Sequence, residues 1–280
     1  YFPQIWWILG LLTACALVLW PLFKPGFFVS DDGEWMVIRL SAFFQSFREG
    51  QFPVRFLGRL NHSYGYPVAN FLYPGFLYLG SFIHILGFSF PDTIKIILIG
   101  SVLTAVLFIY FWLKTFFSSL ASFFGALGFL FAPYLVFDMY KRCAVGEILA
   151  LSMAAIGFYS LDSRKRWLFP LAVGFLILSH NSLALLFLMM FIGYILVRRL
   201  NGFWLPLVIG MGSATFFWFP ALFERRYVIF DAITVSKPME YFVDGNSLNL
   251  LGIVAVLTLF LILFKQKVLK SSLWWFFFLV

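Results

Sequence analysis

Long apolar runs alternate with short polar connections along most of the chain. A helix of about 20 apolar residues crosses the hydrocarbon core of a bilayer, and most of these runs approach that length. The predicted spans are 2–23, 94–113, 116–137, 148–161, 168–178, 183–197, 203–222, 248–264 and a last one that begins at Leu273. The alternating pattern of a membrane β-barrel does not occur. We therefore predict an all-α polytopic membrane protein.

Composition supports this class and limits the alternatives. Of the 280 residues, 62% are hydrophobic and 11% are charged, whereas ordinary globular domains carry about 25% charged residues. Two cysteines are too few for a disulfide framework, and nothing points to a nucleic-acid partner. We expect one transmembrane domain over 1–280. Because the chain stops inside the apolar run 274–280, we also expect a fragment truncated at its C-terminal end.

One long polar segment, 30–75, interrupts the apolar pattern. Long ordered loops are usually functional. Within it, 32–49 predicts an amphipathic helix lying at the membrane interface, because apolar residues recur at helical spacing: Met36, Leu40, Phe43, Phe44 and Phe47. The run 71–88 is ambiguous between a span and a re-entrant or juxtamembrane helix. We favour the second, which makes 24–92 one large first loop with juxtamembrane helices.

The distribution of charge orients the predicted spans. If 71–88 does not cross, nine basic residues and one acidic residue fall in the connections on one side, out of 20 basic and 12 acidic residues in the chain. An excess of Lys and Arg marks the cytoplasmic side. The loops 24–92, 138–147, 179–181 and 224–249 then share the outer face. We therefore expect a multi-pass protein of the cell membrane with its main loops extracytoplasmic.

Several short motifs resemble one family. They are DD at 31–32, EGQFPVRF at 49–56, YGYP at 64–67, NFLYP at 70–74, APY at 132–134, YKRCAVGE at 140–147 and LSHN at 178–181. This pattern resembles the 6-pyruvoyl-tetrahydropterin synthase-related integral membrane proteins, which in turn look like GT-C glycosyltransferases. Cys143 stands where that pattern has glycine. The resemblance implies a GT-C-like helical bundle, a polyprenyl-phosphate sugar donor, an extracytoplasmic acceptor and acidic catalytic residues in the first outer loop.

The chemistry of sugar transfer selects candidate residues independently of the resemblance. A carboxylate must accept the proton of the acceptor hydroxyl, and Asp31 or Asp32 is the candidate base. Cations must stabilise the departing phosphate, a role that suits the arginine fork. The candidate substrate- or phosphate-binding residues are Arg55, Arg59, His62, Tyr64, Tyr66, Arg142, Glu147, His180 and Arg225. Asp31, Asp32 and Glu147 could also hold a divalent cation such as Mg²⁺ or Mn²⁺.

Structural roles compete with each of these interpretations. Asp31 is placed to cap a helix, with Glu34 three residues later completing a capping box. Arg142 and Glu147 could form an ion pair that holds the loop 138–147, and Arg55 and Arg59 could contact lipid headgroups. The functional alternatives are a transporter or flippase for lipid-linked saccharides, and a non-catalytic membrane scaffold.

Overall fold

A computed structural model describes residues 3–228. This part of the chain is helical and contains no β-strand, only an isolated bridge between Leu57 and Tyr66. The helices are α1 Gln4–Leu19, α2 Gly33–Arg48, α3 Gly75–Ile85, α4 Phe90–Leu113, α5 Ser119–Leu130, α6 Pro133–Phe137, α7 Val145–Asp162, α8 Leu168–Ser179, α9 Asn181–Val197, α10 Trp204–Ser213 and α11 Thr215–Glu224. The predicted spans 248–264 and the one beginning at Leu273 lie outside the described residues.

Three helical segments are long and apolar enough to cross a membrane: α1 with the turn that follows it, α4 and α7. Two more spans are formed if bent pairs are counted, one from α5 to Arg142 and one from Asn201 through α11. The bends are 41° and 65°. The predicted spans 116–137 and 203–222 are therefore each broken. Proline at the first position of α6 explains the first break, because the residue before a proline is disfavoured in helical conformation.

The predicted amphipathic helix 32–49 corresponds to α2. Its buried residues include Met36, Leu40 and Phe43, which repeat at three- and four-residue spacing. This face packs against α3 and α4. The run 71–88 forms only the 11-residue α3, which at 1.5 Å per residue is about 16 Å long and shorter than the bilayer core.

Contacts at both ends make α1 and α4 antiparallel. At one end, Lys114 Nζ donates to Gln4 Oε1 at 3.0 Å. At the other, Lys95 Nζ donates to the carbonyl oxygens of Lys24 and Gly26 at 3.1 and 3.0 Å. The chain between α1 and α4 therefore leaves and returns at the same end of the bundle. We call this end the Asp31 end.

The opposite end gathers the C-terminal residues of α4, α7 and α9. The Asp162 carboxylate accepts hydrogen bonds from Trp112 Nε1 at 2.8 Å and Tyr194 Oη at 2.7 Å, and it lies 3.4 Å from Arg198. Its side chain is only 4% exposed. These contacts join three helices through one buried acceptor. We call this the Asp162 end.

Candidate functional site

Two polar loops meet at the Asp31 end through the backbone. The Asp31 N–H donates to the carbonyl of Lys141 at 2.8 Å, and the Asp32 N–H donates to that of Arg142 at 3.2 Å. These bonds bring the start of α2 against the turn that joins α6 to α7. Lys141 Nζ also lies 2.7 Å from Asp31 Oδ1, with both side chains more than half exposed. An exposed ion pair of this kind contributes little to stability.

Arg142 is held between two carboxylates. Its Nη1 lies 2.5 Å from Asp138 Oδ1 and its Nη2 lies 2.8 Å from Glu147 Oε1. Tyr134 Oη donates to the other Glu147 oxygen at 2.7 Å. The following residue, Cys143, has φ 57°, the left-handed conformation that glycine adopts most easily. Glycine would therefore adopt the backbone conformation at position 143 more easily than cysteine does.

His180 joins this cluster from the turn between α8 and α9. Its Nδ1 accepts the Leu183 N–H at 3.3 Å and so caps α9, which leaves the proton of the neutral ring on Nε2. Nε2 lies 3.7 Å from Glu147 Oε1. The ring also packs against Tyr73, with centroids 4.9 Å apart. Burial lowers the pKa of His180 although the Glu147 charge opposes the shift.

Close backbone approach at a glycine makes this packing feasible. A Cβ on Gly146 would lie 2.1 Å from Tyr73 Cε2 and 2.5 Å from the Ser179 carbonyl oxygen. The two segments that carry Tyr73 and Ser179 therefore both pack against the first turn of α7. Burial raises the pKa of the Tyr73 hydroxyl to about 12, while the charges of Arg39 and Arg142 act in the opposite direction.

The two aspartates differ in their surroundings. Asp32, not Asp31, occupies the cap position of α2, and its side chain accepts no capping hydrogen bond. The capping box expected from Asp31 and Glu34 is therefore wrong. Asp31 is paired with Lys141. The Asp32 carboxylate is exposed, and within residues 3–228 no hydrogen bond or ion pair engages it.

Arg39 is a residue that the sequence analysis missed. It follows Asp32 by seven positions, which places both on one face of α2, about two turns apart. Its side chain is half-buried, and no acidic residue among those described pairs with it. The spacing of seven between Asp32 and Arg39 is visible in the sequence and is the signal that could have identified Arg39.

Several other candidates lie apart from this cluster. Arg59 donates to Ser41 Oγ, and His62 and Tyr64 are exposed at the tip of a loop closed by the Leu57–Tyr66 bridge. Within the described chain, no hydrogen bond, ion pair or ring contact links these three residues, or Arg55 or Tyr66, to Asp32 or Arg142. Arg55 instead borders a small cleft with Asn70 and Phe216. Arg225 lies just after α11, next to Glu224, which accepts a hydrogen bond from Asn70 at 2.7 Å.

The residues do not form the expected cation site. Across 3–228, no group of three or more His, Cys, Asp and Glu side chains is placed to hold a metal ion. Both Glu147 oxygens already accept hydrogen bonds from Arg142 and Tyr134. Asp31, Asp32 and Glu147 therefore do not fit a divalent cation as one ligand set.

Comparisons with known protein families, with curated proteins and with solved structures find no match. The class that the structure itself defines is an all-helical protein in which three to five segments could cross a membrane. Its most developed polar cluster lies at the Asp31 end.

Proposed function

We propose that the chain is an integral membrane glycosyltransferase of GT-C type, which transfers a sugar from a polyprenyl-phosphate donor to an acceptor at the outer membrane face. Two kinds of support lead to this proposal. The motifs at 31–32, 49–56 and 140–147 resemble one membrane family with that architecture. The Asp31 end also combines an available carboxylate with arginine and histidine side chains beside apolar helices.

The Asp32 carboxylate is the observation that carries the proposal. A general base must be deprotonated and accessible to the proton it removes. Asp31 is occupied by Lys141, whereas Asp32 is exposed and lies next to Arg142 through a backbone hydrogen bond. In the proposed step the acceptor oxygen attacks the anomeric carbon. Its proton passes to Asp32, and the bond from that carbon to the phosphate oxygen breaks with its electron pair on the phosphate.

Arg39 supports the departing phosphate better than Arg142 does. Arg142 already binds Asp138 and Glu147 at 2.5 and 2.8 Å, so an added phosphate would have to compete with two carboxyl groups for its guanidinium. Arg39 carries no such partner within the described chain and shares a helix face with Asp32. We assign phosphate binding to Arg39 and the positioning of the second polar loop to Arg142. No step is assigned to a divalent cation.

The same proposal places the protein in the cell membrane with the Asp31 end outside. The basic connections at Lys114, 162–166 and 198–199 belong to the Asp162 end, where α4, α7 and α9 finish. The positive-inside rule assigns such an end to the cytoplasm. The large loop and the His180 turn then face the outer leaflet, where a lipid-linked sugar and an extracytoplasmic acceptor could meet.

The transport alternative has less support from the described residues. Ion-coupled transporters place ionisable side chains near the middle of the membrane. Here the buried charged residues Lys95, Asp138 and Glu147 lie within about two turns of a helix end. No observation favours a transporter or flippase over the enzyme. A non-catalytic scaffold is distinguished from the enzyme by the substitutions described next, which should abolish transfer only if the protein is the enzyme.

The test compares two neighbouring carboxylates. We expect Asp32→Asn to lower glycan formation by about 10²–10⁴-fold, the usual contribution of a general base, while Asp31→Asn retains most activity. Cells lacking the wild-type chain would express each variant, and mass spectrometry of their surface glycans would report transfer. Membrane insertion would be checked by immunoblotting of the membrane fraction. Wild-type glycan levels in Asp32→Asn would refute the proposed base.

Arg39 is tested in the same assay. Arg39→Gln should lower transfer at low donor concentration, and Arg39→Lys should restore part of it because the positive charge remains. Exposed Arg164, at the opposite end of the bundle, provides the control variant Arg164→Gln. Equal losses in Arg39→Gln and Arg164→Gln would show that general charge, rather than a phosphate contact, is responsible.

A further inference from the structure

A second polar site lies on the far side of α2. An open groove of about 480 Å³ is bounded by the C-terminal half of α2, by Arg59 and by the turn between α3 and α4. Arg48 and Arg59 supply positive charge, and His84 and Phe90 form its opposite wall.

Helical geometry separates this groove from the candidate active site. Each residue of an α-helix advances about 100°, so Arg48, sixteen positions after Asp32, lies roughly 160° around the helix. Ser41, which accepts the hydrogen bond from Arg59, lies roughly 180° around it. Arg59 was a candidate for donor binding, and the groove assigns it to the side of α2 opposite to Asp32 and Arg39.

The charge in the groove favours an anion. Arg48 lies over the Phe44 ring at 6.0 Å and Arg59 donates to a hydroxyl. Neither guanidinium forms an ion pair with an acidic residue of the described chain. Glu49, also in the groove, accepts the Gln45 side-chain N–H at 2.8 Å. Two arginines against one carboxylate leave a net positive charge, and the arginine fork suits phosphate.

An exposed apolar edge continues from the groove. Phe82, Ile85, Leu86 and Phe88 surround the turn between α3 and α4 and are 46–76% exposed. His84 holds this turn, with its Nδ1 2.6 Å from the Phe88 carbonyl oxygen and its ring stacked on Phe90 at 3.8 Å. A ligand that fits both parts has an anionic head and an apolar tail. Basic residues at an interface attract anionic lipids.

We propose that this groove binds the phosphate headgroup of an anionic phospholipid, with the acyl chains along Ile85, Leu86 and Phe88. The bound lipid would hold the Arg48 side of α2 at the depth of the lipid headgroups. This site is independent of the proposed transfer reaction, because it uses the opposite face of the helix.

Binding would be measured with the purified full chain in neutral detergent, by native mass spectrometry and titration with phosphatidylglycerol. Phosphatidylcholine, inorganic phosphate and a polyprenyl phosphate serve as separate probes. We expect saturable binding of phosphatidylglycerol that Arg48→Gln with Arg59→Gln weakens about tenfold or more, as loss of charged hydrogen bonds predicts. Arg164→Gln with Arg199→Gln removes two exposed charges at the Asp162 end and should leave binding unchanged.

The single variant Arg48→Gln guards against misfolding, since the Arg48 side chain is exposed and lies over the Phe44 ring, and it forms no ion pair within the described chain. It should still weaken binding, and circular dichroism should show an unchanged melting profile. Equal weakening in the control pair, or wild-type binding in both groove variants, would overturn the proposal. If inorganic phosphate bound with equal affinity, the groove would be a phosphate site and not a lipid site. If the polyprenyl phosphate bound more tightly than phosphatidylglycerol, the groove would instead be a binding site for the sugar donor.

Discussion

Replacement of Gly146 by alanine tests whether the segments of Tyr73 and Ser179 pack closely against the first turn of α7. The added Cβ would lie 2.5 Å from the Ser179 carbonyl oxygen and 2.1 Å from Tyr73 Cε2. The Tyr73 ring could rotate away, but the Ser179 oxygen belongs to the backbone, so the end of α8 must move. Overpacking of this kind costs about 1–3 kcal/mol. In the first turn of α7, alanine gains at most about 0.5–1 kcal/mol, the gain that it brings to a helix interior, so the overpacking outweighs it.

Gly100 offers the matched control within α4. A Cβ at Gly100 meets no atom within 4 Å, so Gly100→Ala should gain only the helix term. Thermal unfolding in detergent, followed by circular dichroism, should place the midpoint of Gly146→Ala below that of Gly100→Ala. At about 2–4 °C per kcal/mol for a chain of this size, a difference near 2 kcal/mol corresponds to about 4–8 °C. Equal midpoints would refute the close packing at Gly146.

Two further outcomes are expected. Asp162→Ala removes the acceptor of two hydrogen bonds, from the Trp112 N–H and the Tyr194 hydroxyl, and their loss should lower stability by about 1–3 kcal/mol in thermal unfolding. Asp162→Asn keeps one acceptor oxygen and should lose less. A stable alanine variant would contradict the assigned role. For topology, Ser63→Cys should react with an impermeant maleimide added outside intact cells and Ser163→Cys should not, because the proposed topology places the Asp31 end outside. The two native cysteines are buried and should not react. The reverse labelling pattern would contradict the proposed orientation.

Local patterns predicted the helices well where a single helix face decides the structure. The spacing of Met36, Leu40 and Phe43 gave α2 almost to its ends. The predicted span 94–113 begins four residues after the start of α4 at Phe90, although Ser89, whose Oγ accepts the Asp92 N–H at 3.2 Å, and the proline in the first turn are recognisable start signals. The bends at Ala132 and Ala214 were missed. An apolar run indicates that a segment can be buried, but it does not indicate where the helix axis bends.

The site was less predictable because tertiary contacts determine it. The sequence placed Asp31, Arg142, Glu147 and His180 on one face, and the structure brings them to one end of the bundle. It could not show that Asp138 shares Arg142 with Glu147. Nor could it show that the chain after α2 folds back, so that Arg59 reaches Ser41. The separation of two residues in the sequence does not show whether the chain folds back to bring them into contact.

The packing of α2 determines the chemistry available on both of its polar faces. Met36, Leu40 and Phe43 are buried to within 4% exposure, and they set the rotation of the helix about its axis. A slip of one residue would turn every side chain by about 100°. Asp32 and Arg39 would leave the cluster at Arg142, and Arg48 would leave the groove. The apolar stripe therefore holds both proposed sites in position, and a substitution such as Leu40→Ala should impair the proposed transfer and the proposed lipid binding although Leu40 belongs to neither site.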